Sequence, residues 1–279
     1  MAKETCETCN PETCTSSTCE VKAQEPQKIP PKEMNHIQHI IGIMSGKGGV
    51  GKSSVTALLA VALARENYRV GILDADITGP SIPKMFRISR PPQGSDIGIF
   101  PAESSRGIKI MSLNLLLPRE DDPVIWRGPL IANAVKQFWT DVFWGDLDYL
   151  LIDLPPGTGD APLTVLQSLP LTGLVIVSSP QELANMVVRK AIKMAALLKV
   201  KILGLVENMS YIVCPDCGRE IYAFGPSRAE EAAAQAGIPL LGVLPLDPEL
   251  TALCDRGQVE DYRGLLWERV QDFIGRMAL

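Results

Sequence analysis

Residues 46–53 read Gly-Lys-Gly-Gly-Val-Gly-Lys-Ser and fit the pattern G-x-x-x-x-G-K-[ST]. An apolar run rich in β-branched residues, 37–44, precedes them, and residues 53–65 follow with apolar side chains at helical spacing. A glycine-rich turn between a strand and a helix is the setting this motif requires. Glycines let successive backbone N–H groups turn inward on a polyphosphate, and the helix N-terminus adds partial positive charge. The candidate nucleotide-binding residues are Gly46, Lys47, Gly48, Gly49, Val50, Gly51, Lys52, Ser53 and Ser54. Among them, Lys52 reaches the β- and γ-phosphates and the Ser53 hydroxyl ligates Mg²⁺. The alternative is a strand-to-helix turn with no ligand.

The rest of the chain repeats the strand–helix alternation. Apolar runs recur at 69–73, 149–152, 174–177, 202–206 and 240–244, with helical stretches at 129–143, 161–169, 182–198 and 227–236. Continuous rather than alternating apolar strands imply burial on both faces, as in a parallel sheet. The expected fold class is α/β: a doubly wound, mostly parallel sheet with helices on both faces. Residues 80–125, with Pro91-Pro92, read as an insertion of loops and short strands. Residues 1–35 have few large apolar side chains and many Glu, Thr, Pro and Lys, so they cannot offset their ordering entropy. They are expected to form a flexible, cysteine-rich tail, with residues 36–279 as the ATPase domain.

Two strand ends carry acids. Gly71-Ile72-Leu73-Asp74-Ala75-Asp76 and Leu150-Leu151-Ile152-Asp153 both end at the sheet edge where open α/β folds bind ligands. A carboxylate at Asp153 can hold the Mg²⁺ shell through water. Asp74 is read either as a site acid or as a strand-end cap. The segment Pro155-Pro156-Gly157-Thr158-Gly159-Asp160 is either a hinged sensor of the γ-phosphate or a rigid loop capped by Asp160.

Cysteine usage points to metal chemistry. Of seven cysteines, Cys6, Cys9, Cys14 and Cys19 lie in the tail, Cys214 and Cys217 form a C-x-x-C, and Cys254 stands alone. No signal-like segment begins the chain, so a reducing cytosol is expected, where such clusters are more often metal ligands or catalytic thiols than disulfides. The pair Cys214/Cys217 supplies two of the four ligands that a cluster requires. A symmetric homodimer supplies the other two, giving a bridging [4Fe–4S] cluster. A zinc knuckle and a redox dithiol remain alternatives. The tail spacing C-x2-C-x4-C-x4-C has enough thiolates for a second cluster, for zinc, or for neither. Cys254, near Leu250 and Leu253, reads as a small core residue.

Other features have bland readings. His36 and His39 precede the first strand as boundary residues; Trp126, Trp139 and Trp144 pack near the core. The stripe Leu266, Val270, Phe273 and Met277 docks onto the sheet. Twenty-seven basic against thirty-two acidic residues leave a net charge of −5, so no nucleic-acid partner is expected. No apolar run approaches the ~18–20 residues that span a bilayer, and no membrane partner is expected.

Lys-Gly-Gly-Val-Gly-Lys-Ser, with its extra lysine, resembles the deviant phosphate loop of the MinD/ParA/nitrogenase-iron-protein class of P-loop ATPases. That resemblance implies that Lys47 crosses a homodimer interface to the partner's nucleotide. It also implies that Asp76 and Asp153 are the switch I and switch II acids, so Lys47, Lys52, Asp76 and Asp153 become the catalytic candidates. Residues 74–81, Trp126-Arg-Gly-Pro129, 153–160 and Glu207-Asn-Met-Ser210 are similar to the Mrp/ApbC/Nbp family of iron–sulfur cluster carrier ATPases, over about residues 36–270. This implies that Asn208 contacts adenine, that the cofactors are ATP, Mg²⁺ and a [4Fe–4S] cluster, and that apo iron–sulfur proteins are the acceptors. The alternatives are a MinD/ParA-type positioning ATPase and an ATP-driven reductase like the nitrogenase iron protein.

Overall fold

Residues 40–45 are buried, and the strand that holds them, β1 (His36–Ser45), lies inside an eight-stranded sheet. The computed structural model describes residues 33–76, 81–95, 98–116, 128–181 and 186–264. After β1 come α1 (Lys52–Arg65), β2 (Val70–Asp74), α2 (Ile82–Met85), β3 (Gln93–Ser95) and β4 (Gly98–Phe100). Next are β5 (Ala102–Glu103), β6 (Lys109–Ser112), α3 (Gly128–Thr140), β7 (Asp146–Asp153), α4 (Asp160–Ser168) and β8 (Gly173–Ser178). The described chain continues with α5 (Met186–Leu197), β9 (Ile202–Glu207), β10 (Ile212–Val213), β11 (Glu220–Ile221), α6 (Ala229–Ala236), β12 (Leu240–Val243) and α7 (Pro248–Arg256).

The main sheet runs β12-β9-β8-β1-β7-β2-β6-β5, parallel throughout except for β5. Alternate residues of each strand feed two apolar layers. Ile41 and Ile43 of β1 pack with Leu58, Leu59 and Leu63 of α1, and with Leu250 of α7. Ile40 and Met44 face the opposite way, toward Phe138 and Trp139 of α3, Val165 of α4 and Ala195 of α5. Both faces are therefore covered, which is why the strands read as unbroken apolar runs.

The doubly wound expectation holds, with local differences. Residues 80–125 are not only an insertion: β6 pairs in parallel with β2, matching Leu73 to Met111 and Asp74 to Ser112. The helix expected over 129–143 ends at Thr140, after which Val142 bridges to Ile99 and Trp144 is fully buried. His36 and His39 lie within β1 rather than before it, and His39 stacks on Tyr149 with ring centroids 5.0 Å apart. Asn35 is part of the fold, its side chain donating to the Val142 carbonyl and accepting from the Gly145 N–H. Asp160 is the first residue of α4, whose N-cap is Gly159. Cys6, Cys9, Cys14, Cys19, Trp126 and the stripe over 266–277 lie outside the described residues. Among the described residues no helix is long and apolar enough to cross a membrane.

Close packing across the sheet makes one glycine test the register. A Cβ on Gly71 would lie 2.7 Å from Leu147 Cδ1 and 3.1 Å from Trp144 Cζ3. Overpacking a filled core costs about 1–3 kcal/mol. The variant Gly71→Ala is expected to lose that much stability in urea unfolding with an unchanged denaturant slope.

Candidate functional site

Parallel register builds the site. Asp74 pairs with Asp153, and Ile43 pairs with Asp153 on the other side, so β2 and β7 end at one level and β1 runs two residues beyond it. The phosphate loop leaves β1 at that edge and enters α1 through Gly51, whose φ is 78°. Only glycine suits this point, because the backbone is left-handed and a Cβ would overlap the Asn208 amide. Gly48 and Gly49 have open space where a Cβ would project, which leaves room for a polyphosphate against their backbone. The buried Val50 anchors the loop.

Lys52 is 5% exposed, and its ammonium lies 2.8 Å from Asp153 Oδ1 and 3.3 Å from Asp76 Oδ2. Beyond those two ion pairs its Nζ has no hydrogen-bond partner among the described residues, so donors remain for a phosphate oxygen. The Ser53 hydroxyl donates to Asp153 Oδ2 at 2.5 Å, and Thr56 Oγ1 donates to Asp153 Oδ1 at 2.9 Å. Ser53 and Asp153 form the kind of hard-oxygen corner that Mg²⁺ uses when phosphates and waters complete its octahedron. Ser54 is half-buried on the first turn of α1. Lys47 is exposed, with no ion pair among the described residues.

Asp74 is the strand-end cap of the two readings: it accepts from the Asp76 N–H at 3.1 Å and from the Ser112 hydroxyl at 3.0 Å. Burial, then the Asp153 charge, pushes its carboxyl well above the ordinary aspartate range, against the pull of Lys52 and Ser112.

Asn208, at the end of β9, lies over the phosphate loop, its Nδ2 donating to the Val50 carbonyl at 3.0 Å. Six positions further along the chain stands Cys214, in the hairpin of β10 and β11. The Cys214 N–H donates to the Arg219 carbonyl and the Gly218 N–H returns to the Cys214 carbonyl, each at 2.9 Å. Hydrogen bonds from the backbone N–H groups of Cys217 and Asp216, and from the Cys217 side chain, hold the Cys214 thiol below its ordinary range. Cys214 is half-buried and Cys217 exposed. Cys254 is the core residue expected, its thiol pushed up to about 11 chiefly by burial. Among the described residues no three His, Cys, Asp or Glu side chains converge to hold a metal.

Two supporting residues were not picked out from the sequence. Thr56 sits one helical turn beyond Lys52, an i, i+4 relation that points it at the same carboxylate. Ser112 required knowing that β6 lies beside β2.

A carboxyl with an elevated pKa in the fold loses stability as pH rises from the unfolded value through the folded one. The variant Asp74→Asn removes that cost. Relative to Asp74→Asn, the unliganded wild type is therefore expected to be most stable near the ordinary aspartate range, about pH 4, and to fall behind progressively as pH rises from there to neutrality and above. Urea midpoints of both proteins across that range check it.

With this geometry in place, comparison with known proteins is informative. Residues 36–273 match the family model described as ParA: NUBPL iron-transfer P-loop NTPase. An iron-sulfur cluster carrier protein of Clostridium perfringens is 47% identical over 235 residues, covering 81% of this chain and 82% of the relative. The nucleotide-binding protein of Archaeoglobus fulgidus, solved in complex with ADP, superposes with a TM-score of 0.74 at 50% identity, covering 82% of this chain and 90% of that one. The cell division ATPase MinD of Pyrococcus furiosus, at 22% identity, a TM-score of 0.55 and coverage of 86% and 98%, shares the fold alone. Phosphate loop, strand-end acids and family match agree: the chain belongs to the NUBPL iron-transfer P-loop NTPases of the ParA group.

Proposed function

We propose that this chain is an ATP-binding and ATP-hydrolysing carrier that holds a [4Fe–4S] cluster between two protomers and passes it to apo iron–sulfur proteins in the cytosol. One observation carries the reading. A pair of thiols, with Cys214 held toward thiolate by hydrogen bonds from its own turn, sits on an exposed hairpin six residues beyond Asn208, which is bonded to the phosphate loop. Two thiolates fall two short of the usual cluster set, and a second copy related by a two-fold axis makes up the number. The cluster is cargo, so an exposed and incomplete site suits its role: a fully enclosed one would resist release. The carrier name of the Clostridium perfringens relative supports this choice. The positioning-ATPase alternative has only fold-level likeness behind it.

At the nucleotide end the work is positioning and charge neutralisation. Lys52, held by Asp76 and Asp153, would meet the β- and γ-phosphates, and Ser53 with Asp153 would hold Mg²⁺, which neutralises phosphate charge. Asp76 and Asp153 would orient the attacking water. Asn208 offers an amide that both donates and accepts, which suits adenine. Lys47, exposed and without an intramolecular ion pair among the described residues, would reach the partner's nucleotide, so hydrolysis waits on dimerisation and is slow. In the tail, Cys6, Cys9, Cys14 and Cys19 are proposed as a second thiolate set.

Separate sites predict separable losses. Anaerobic reconstitution with iron and sulfide is expected to load wild type and Lys52→Ala, but not Cys214→Ala, as read by visible absorption and bound iron. ATP affinity is expected to fall at least about tenfold, near 1.4 kcal/mol, in Lys52→Ala and to stay within about twofold in Cys214→Ala. Equal cluster content in Cys214→Ala and wild type would remove the assignment; colourless protein that binds zinc would replace it with a zinc site.

Lys47→Ala is expected to bind ATP while losing turnover. Mixed with an inactive Lys52→Ala chain, it should regain part of that turnover, because an intact Lys47 then faces an intact phosphate site.

A further inference from the structure

Residues 208–213, which run from a contact with the phosphate loop to the thiol pair, are fastened at nearly every residue. Asn208 Nδ2 is bonded to the Val50 carbonyl at 3.0 Å, and its amide crowds Gly51. Met209 follows with φ 57°, a left-handed conformation uncommon for a residue with a side chain. Its Cε stands 3.1 Å from the point where a Gly51 Cβ would be. Ser210 is 1% exposed, its N–H donating to the Leu244 carbonyl at 2.9 Å and its hydroxyl to Glu207 Oε1 at 2.7 Å. The Leu246 N–H bonds the Tyr211 carbonyl at 2.8 Å, and Ile212 and Val213 pair with Ile221 and Glu220. Cys214 comes next.

Glu207 is unusual in this strap. Its residue is fully buried, its Oε1 takes the Ser210 hydroxyl, and its Oε2 has no hydrogen-bond partner among the described residues. A buried carboxylate oxygen left in this way is costly, and such groups call for a reason beyond packing. The Glu207 hydrogen bond with Ser210 fixes the residue at which the strap turns from the phosphate loop toward the hairpin.

We propose that Ser210, held by Glu207, is a positioning residue that transmits nucleotide binding at the phosphate loop to the Cys214–Cys217 turn. A ligand shifts an equilibrium only by its differential affinity for two states. Asn208 is where that difference arises, because it touches the loop peptide and offers its remaining amide groups to the base. A displacement of Val50 and Gly51 is carried through Met209 to Ser210. There the anchored hydroxyl converts it into a tilt of the hairpin and a change in access to both thiols. Coupling between two sites is reciprocal, so occupation of the thiols must alter nucleotide affinity by the same factor. This inference rests on the nucleotide and thiol roles proposed above and adds the route between them.

The test needs no cluster. Full-length reduced protein is alkylated with iodoacetamide, and the rate at Cys214 is followed by peptide mass spectrometry with and without saturating Mg²⁺–ADP. ADP affinity is measured in parallel by calorimetry. In wild type, ADP is expected to change the alkylation rate at least about threefold. In Ser210→Ala the ratio should collapse to about one while ADP affinity stays within about twofold. In Glu207→Gln, which keeps an acceptor for the hydroxyl, the ratio should persist. Should Ser210→Ala fail to fold, Met209→Gly relieves the left-handed φ and removes the half-buried side chain that lies against Gly51, and is expected to give the same collapsed ratio. A wild-type ratio of one with ADP bound overturns the inference and leaves the nucleotide site standing, as does a full ratio in Met209→Gly. Failure of wild type to bind ADP at all overturns the nucleotide reading and this inference together.

Discussion

A single buried ammonium governs the nucleotide end of the molecule. Lys52 lies between Asp76 and Asp153, and Asp74 stands behind them, bonded to the Asp76 N–H. Parallel register brings Asp74 and Asp153 side by side, so the sheet itself concentrates negative charge at its C-terminal edge. One lysine stands among three carboxylates in a water-poor setting, and Asp74 is pushed up first by its burial and then by the Asp153 charge. The arrangement favours a ligand that brings its own divalent cation. It also explains why hydroxyls, from Ser53, Thr56 and Ser112, surround these acids: each satisfies a carboxylate oxygen without adding charge.

The thiol end is built on opposite terms. Cys214 and Cys217 stand on a hairpin of two-residue strands, away from both apolar layers, and their turn offers backbone N–H groups to sulfur. Cys254, only a few dozen positions on, shows what the interior does to the same side chain: burial removes its thiolate from the neutral range. Exposure and hydrogen bonding, rather than residue type, separate these two thiols, proposed above as cargo ligands, from a core filler.

Much of this was legible in the chain because its strongest signals are local. The phosphate loop, the strand-end acids and the C-x-x-C all declare their chemistry within a few residues, and unbroken apolar runs announce strands covered on both faces. What escaped depends on distant pairing. β6 is four residues long and half its length is Lys109 and Ser112, so no apolar run marks it; its place beside β2 is a tertiary fact. The end of α3 at Thr140 was hidden because Val142, Phe143 and Trp144 continue the apolar composition of the helix in another conformation. The Glu207–Ser210 contact spans three positions, yet its meaning depends on burial that no spacing rule reveals.

Among the described residues the two margins of the main sheet are short: β12 has four residues at one side and β5 has two at the other. An unpaired strand margin is a template for adding further chains, and long ones invite fibres. A protein that meets its own copies and a succession of clients, as proposed here, gains from offering so little of this template. Its encounters are steered to side-chain surfaces, where they can be undone, and endless strand-by-strand growth is discouraged.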